Sequence, residues 1–177
     1  MKNNFYYLTV EVLNKLNQFD FSGRQDLSAF RDVFIFQCLT GIYYNDLLTL
    51  TSANVIGETL QYVKRKTNKV IHVQLTSSAK EIVERYRCND QSVLFPHLSV
   101  AEYNQSIKEM LRLAGIDRVV AVMNPKNRVE ELRPIYEVGC SSLARGSFLG
   151  NLSMNITPEL ILKLTGHAET DSKTKNI

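Results

Sequence analysis

Cysteine is scarce and poorly spaced for chemistry. Cys38, Cys88 and Cys140 are the whole complement, an odd number with no CxxC pair and no histidine close enough to complete a zinc box. A disulfide scaffold and the common structural zinc sites are thereby excluded, which leaves structural thiols in a reducing compartment. Long apolar runs are missing too. No stretch approaches the roughly 18 residues of a membrane-spanning helix, and the opening MKNNFYYLTV lacks the basic-then-apolar order of a secretory signal. These absences point to a soluble protein of the cytoplasm with no membrane partner. Net charge is small: 21 basic against 18 acidic residues give +3, which argues only weakly for a polyanionic partner. There is no internal repeat and no break in composition, so the 177 residues read as one domain, 1–177. A chain of that size buries roughly 70% of its unfolded surface without needing a staple.

What is present is mostly helical periodicity. Thr9 is placed to cap a helix whose apolar face is Val12, Leu13, Leu16 and Phe19, the 3, 4, 7 spacing of an amphipathic helix. A strongly apolar helix follows from about Asp26 through Leu27, Phe30, Val33, Phe34 and Cys38, and Gly41 ends it. Asn45 is read as the cap of a short helix over Asp46 to Leu50. Residues 55 to 63 and 70 to 75 are rich in β-branched and aromatic types and flank the polar KRKTNK, which predicts a β-hairpin with a basic tip. Ser78 with Glu81, and Ser99 with Glu102, have the spacing at which two side chains satisfy each other's orphan backbone N–H groups at a helix start. Residues 118 to 123 read as a short strand and 125 to 134 as an irregular polar connection. Helices are expected from Ser142 to Leu152, and from Thr157 and Pro158 to Gly166. The expected class is mainly α with a small antiparallel β-hairpin, an α+β fold.

Charge is more informative by position than by sum. Lys64, Arg65, Lys66 and Lys69 fall within six residues at the hairpin tip, whereas Lys126, Arg128 and Arg133 are interleaved with Glu130 and Glu131. Taken alone, such runs are solvated faces. His72 lies in a strand and His97 beside Pro96, neither with a partner the sequence can name.

Three segments in fixed order change that reading: CLTGIYYNDLLTLT at 38 to 51, VKRKTNKVIHVQLT at 63 to 76, and CSSLARGSF with LTGHAE between 140 and 169. Together with LFPHLSVAEYNQSIKEMLRLAGI between them, this set resembles the catalytic domain of the tyrosine recombinases, the phage-integrase family, over nearly the whole chain. Its flavour is that of integrases from mobile elements of Bacteroides-type bacteria. The resemblance implies double-stranded DNA as partner, with other recombinase protomers beside it. It also implies a reaction in which a tyrosine oxygen attacks a phosphodiester and the covalent link stores the bond energy, so neither metal nor cofactor is called for. The protein must then stabilise charge on a pentacoordinate phosphorane and supply a proton to the leaving oxygen.

Carried over position by position, the resemblance assigns Lys66 to the hairpin lysine that protonates the leaving oxygen. It assigns Arg145 to the second arginine, which grips a phosphate through its planar fork, and His167 of the TGH motif to the late histidine on the same phosphate. Lys64, Arg65 and Lys69 join Lys66 and Arg145 as DNA-binding candidates. Two positions are replaced. Tyr43 stands where the family has its first arginine, and Ser142 stands where the histidine of His-x-x-Arg belongs, and serine cannot act as an imidazole base. The nucleophilic tyrosine is expected nine to eleven residues after His167, yet the last tyrosine is Tyr136. The helical domain that closes the family's clamp around DNA is also expected to be absent. The resemblance therefore implies a DNA-binding recombinase domain that is inactive as this chain stands. A non-enzymatic DNA-binding accessory protein derived from a recombinase, or a chain that receives its tyrosine from a partner, remains an alternative.

Overall fold

Thr9 opens the first helix as its residue type suggests. Its backbone is extended and its hydroxyl accepts the Val12 N–H at 3.4 Å, and α1 runs Val10–Gln18 with Leu13 and Leu16 buried. The structure, a computed structural model, describes residues 6–87, 93–96 and 99–154. Helix α2 (Gln25–Thr40) ends at Gly41 with φ 67°. It is buried along most of its circumference, as a helix apolar on every side must be, and packs against α1, α4, α5 and α6. Helix α3 is one turn, Tyr44–Leu47.

Strands β1 (Val55–Ile56), β2 (Thr59–Lys64) and β3 (Lys69–Gln74) form an antiparallel sheet in that order, with Tyr62 opposite Ile71 and Lys64 opposite Lys69. Helices α4 (Ser77–Arg87) and α5 (Val100–Leu113) follow. A second antiparallel pair, β4 (Val119–Met123) and β5 (Glu130–Pro134), leads through a 3-10 turn at Ile135–Val138 into α6 (Ser141–Ser153). The architecture is helix-dominated α+β, as the sequence implied. No helix among the described residues is long and apolar enough to cross a membrane.

One core joins these elements. Tyr103 of α5 is fully buried, stacks on Tyr44 of α3 at 4.3 Å between ring centroids, and donates its hydroxyl to Gln37 Oε1 at 3.1 Å. Burial pushes its phenol well above the ordinary range, as expected where the charged form would be stranded in a low dielectric. Helix α6 docks through small polar groups. The Leu8 N–H donates to Ser147 Oγ at 2.9 Å, and Asn151 Nδ2 donates to the Leu8 carbonyl at 2.9 Å. Cys38 is buried and its thiol is pushed up by desolvation, which suits the structural reading; Cys140 is half-buried. Cys88 and His97 lie outside the described residues.

Four local expectations are corrected. Asn45 caps nothing at the start of α3: Tyr43 occupies the N-cap, and Asn45 sits inside the turn. At α4 the Thr76 hydroxyl, not Ser78, accepts the first orphan N–H, from Ala79 at 3.3 Å, so the helix begins one residue before Ser78. The stretch 55 to 63 is two strands, because Gly57 adopts φ 59° and turns the chain. Residues 125 to 134 are not irregular throughout, since Glu130–Pro134 pairs with β4. That strand buries little, and its one aliphatic side chain, Leu132, is 75% exposed. It is held by ladder hydrogen bonds and so carries no alternating apolar signal.

Candidate functional site

The site is built on the turn between α2 and α3. Gly41 there has a left-handed backbone, and a Cβ added to it would run into the Phe148 ring of α6. Only glycine allows both the turn and the close approach of α6. The turn is tied down from three sides. The Gly41 N–H donates to the Gln37 carbonyl at 2.9 Å, Gln37 Nε2 donates to the Ile42 carbonyl at 3.0 Å, and Arg145 Nη1 donates to the Gly41 carbonyl at 2.5 Å. The next residue, Tyr43, is thereby held at the surface with 37% of its area exposed.

Two cations meet the ring of Tyr43. Arg145 Cζ lies 4.1 Å from its centroid and Lys64 Nζ lies 5.1 Å from it. Both distances fall within cation–π range. Arg145 is half-buried, one position off the face of α6 that carries Leu143, Ala144 and Ser147 into the core. Its Nη2 is fully buried and has no hydrogen-bond partner. An orphaned buried N–H of a charged group costs roughly 1–3 kcal/mol or more, and is unusual enough to ask what it serves.

Lys64 is the residue whose place the sequence reading missed. It was grouped with a solvated basic tip, but it is only 4% exposed. The cause is strand parity: Leu60, Tyr62 and Lys64 alternate on the buried side of β2, while Val63 faces out at 55% exposure. Burial lowers the Lys64 pKa, the Arg145 charge lowers it further, and Asp46 opposes both. Tyr62 is pushed up to about 12, first by burial and next by Asp46. Asp46 itself is 5% exposed, and its Oδ1 accepts the Arg65 N–H at 3.2 Å. Asp46 thus ties the hairpin to α3.

The remaining expected residues sit differently. Lys66 and Arg65 lie exposed in the turn 65–68, and Lys69 is exposed at the start of β3. Lys66 and Lys69 are near enough for their charge to depress the Lys64 pKa. Ser142 is exposed in the first turn of α6, three residues before Arg145, with its Oγ 2.9 Å from Cys140 Sγ. His167, and the helix expected from Thr157, lie outside the described residues. The structure therefore brings together Tyr43, Asp46, Lys64 and Arg145 and leaves Lys66 at the rim. Among the described residues no group of His, Cys, Asp or Glu side chains is arranged to hold a metal ion.

No family model matches the sequence, and no curated protein matches it in sequence. Solved structures do match. The chain is similar to the lambda integrase catalytic core, with a TM-score of 0.64 and 16% identity over 94% of each chain. It is similar to XerA recombinase, with a TM-score of 0.63, 15% identity, and coverage of 93% of this chain and 57% of that one. It is also similar to XerH site-specific recombinase bound to its palindromic difH substrate, with a TM-score of 0.65, 16% identity, and coverage of 94% and 47%. The chain thus spans about half the length of XerA and XerH. Identities this low speak for architecture, and the α2–α3 turn, β-hairpin and α6 described above form the catalytic-domain fold of the tyrosine recombinases.

Proposed function

We propose that residues 1–177 are one tyrosine-recombinase-type domain that binds the phosphate backbone of double-stranded DNA. The observation that carries this reading is the convergence of Arg145 and Lys64 on Tyr43, with a buried guanidinium N–H left without a partner. A guanidinium fork is the side chain best matched to a phosphate. The exposed cations of the hairpin tip, Arg65, Lys66 and Lys69, extend the positive surface beside it.

XerH is described bound to its difH substrate, and lambda integrase as a dimer bound to a core site. Those descriptions favour duplex DNA, with further recombinase protomers, as the partners here; integration of a mobile element in a bacterial cytoplasm is the setting that the motif resemblance implies. Lys66 is assigned to the leaving oxygen and His167 to the scissile phosphate. Strand cleavage by these residues alone is not expected. Ser142 offers no imidazole and Tyr43 no second guanidinium. Loss of one preorganised donor lowers a rate by about 10² to 10³.

Duplex binding measured against salt tests the reading. Each phosphate contact contributes a slope of about −0.9 in log K against log salt. Affinity that falls steeply between low and moderate salt supports backbone binding, and a flat response overturns it. A nicked suicide substrate should yield no protein–DNA adduct with this chain. The second reading, a non-enzymatic accessory protein derived from a recombinase, rests on the substitutions at Tyr43 and Ser142. Footprinting on element ends separates the two: a preferred site without cleavage favours the accessory protein.

A further inference from the structure

Tyr43 holds the N-cap of α3 without capping it. Its backbone carbonyl accepts the Asp46 and Leu47 N–H groups at 3.0 and 2.9 Å, but its side chain makes no cap hydrogen bond. Serine, threonine, asparagine and aspartate serve that position best, so an aromatic ring there, 37% exposed, needs another reason. We infer that Tyr43 is a positioning residue for Arg145: its ring fixes the plane in which that guanidinium meets a phosphate. The inference rests on the DNA-binding reading above and gives a task to a residue that enters the family pattern only as a replaced arginine.

An arginine side chain is long and rich in rotamers, and its planar fork serves a phosphate only when its orientation is set in advance. The hydrogen bond from Arg145 Nη1 to the Gly41 carbonyl is one restraint, and by itself it leaves the guanidinium free to turn about that bond. The ring supplies the second. Arg145 Cζ lies 4.1 Å from the Tyr43 centroid, nearer than Lys64 Nζ at 5.1 Å, and a cation seated against a ring face is held by the ring quadrupole. Among the described residues the Tyr43 hydroxyl makes no hydrogen bond, so the ring face is what this contact uses.

Both restraints come from one three-residue turn, the carbonyl from Gly41 and the ring from Tyr43. The left-handed backbone of Gly41 and the Phe148 ring packed against it fix that turn, so the backbone sets the direction of the guanidinium. A contact serving stability alone would also satisfy the Arg145 donors, as buried polar groups generally are. Here the Nη2 amino group is left without an acceptor among the described residues. A charged donor held in a fixed plane with no protein acceptor is a preorganised group for an oxyanion.

The test is a double-mutant cycle of Tyr43→Leu and Arg145→Met in the full 177-residue chain, read as affinity for a short duplex at one salt concentration. Y43L should bind about three- to tenfold more weakly than the parent, the size of a partly desolvated cation–π contact. In the R145M background the same change should alter affinity by less than about twofold, because no guanidinium is left to orient. Tyr43→Phe, which returns a ring face without the hydroxyl, should recover most of what Y43L loses, and failure to do so overturns the inference in favour of a hydroxyl contact. Equal losses from Y43L in both backgrounds overturn it while leaving DNA binding intact, since Tyr43 would then act on DNA directly or through Lys64. Parental affinity in Y43L overturns it as well. A parent chain with no salt-dependent binding overturns the DNA-binding reading and this inference with it. If Y43L loses its circular-dichroism signal, Tyr43→Gln carries the same cycle, and loss of fold in both makes Tyr43 a folding residue and overturns the inference.

Discussion

Arg145 and Gly41 are joined across 104 positions of sequence by a hydrogen bond from the guanidinium to the glycine carbonyl, at 2.5 Å. The same side chain lies over the ring of Tyr43 and buries an Nη2 amino group that has no acceptor. It is therefore a structural tie and an unsatisfied donor at once, and these two roles have opposite signs in stability.

Arg145→Met separates them. Losing the bond to Gly41 costs about 1 kcal/mol, while removing a poorly satisfied buried charge returns a similar amount. Urea unfolding should place the variant within about 1 kcal/mol of the parent. Its duplex affinity should nevertheless fall by at least about tenfold, with the slope of log K against log salt reduced in magnitude by about one. A large loss of stability with unchanged DNA binding would reverse the assignment.

Gly41→Ala should be among the most damaging single changes in the described residues. The backbone at φ 67° disfavours any Cβ, and the Phe148 ring already fills the space it would enter. Left-handed strain and overpacking each cost about 1–3 kcal/mol. A thermal melt showing less than about 1 kcal/mol of destabilisation would mean that α6 can move away from the turn without cost.

The start of α4 offers a paired comparison. Thr76→Ala removes the hydroxyl that accepts the Ala79 N–H and should cost about 1 kcal/mol. Ser78→Ala, at the position the SxxE spacing favoured, should be neutral or slightly stabilising, because alanine is the better helix former. Equal losses in the two variants would restore the original capping assignment.

Tyr62 makes stability sensitive to alkali. An unfolded tyrosine ionises near pH 10, but in the folded chain the phenol is pushed up to about 12. Between those values the folded state holds a proton that the unfolded state has released, so stability falls as pH rises from 10 towards 12. Below pH 10 this contribution is fully present. Lys64 works in the opposite sense: its lowered pKa makes stability rise with pH up to the unfolded lysine value near 10.4. Urea midpoints of Tyr62→Phe should decline less steeply above pH 10 than those of the parent.

Much of the architecture was readable before any coordinates. Periodicity and punctuation located α1, α2 and α5: Thr9 caps, Gly41 turns left-handed, and Ser99 with Glu102 forms the reciprocal box. These signals act over a few residues, so local composition carries them. The misses have a common cause. In β5 the strand is specified by pairing with β4 rather than by its own side chains, and at α3 Tyr43 takes the N-cap although its side chain caps nothing.

The candidate site divides in the same way. The motif order singled out Arg145 and flagged the unusual Tyr43, and strand parity alone would have turned Lys64 inward, but a run of four cations reads as solvent-facing until a sheet is laid on a core. Which cation reaches which ring depends on α6, β2 and the α2–α3 turn meeting in space, and no spacing along the chain encodes those distances. The sequence by itself determined α1, α2 and α5, the hairpin and the chemical types available for a phosphate. Tertiary packing decided that the inward-facing Lys64 would meet Arg145 at the Tyr43 ring, because desolvation and cation–π contact arise only once remote segments exclude water together.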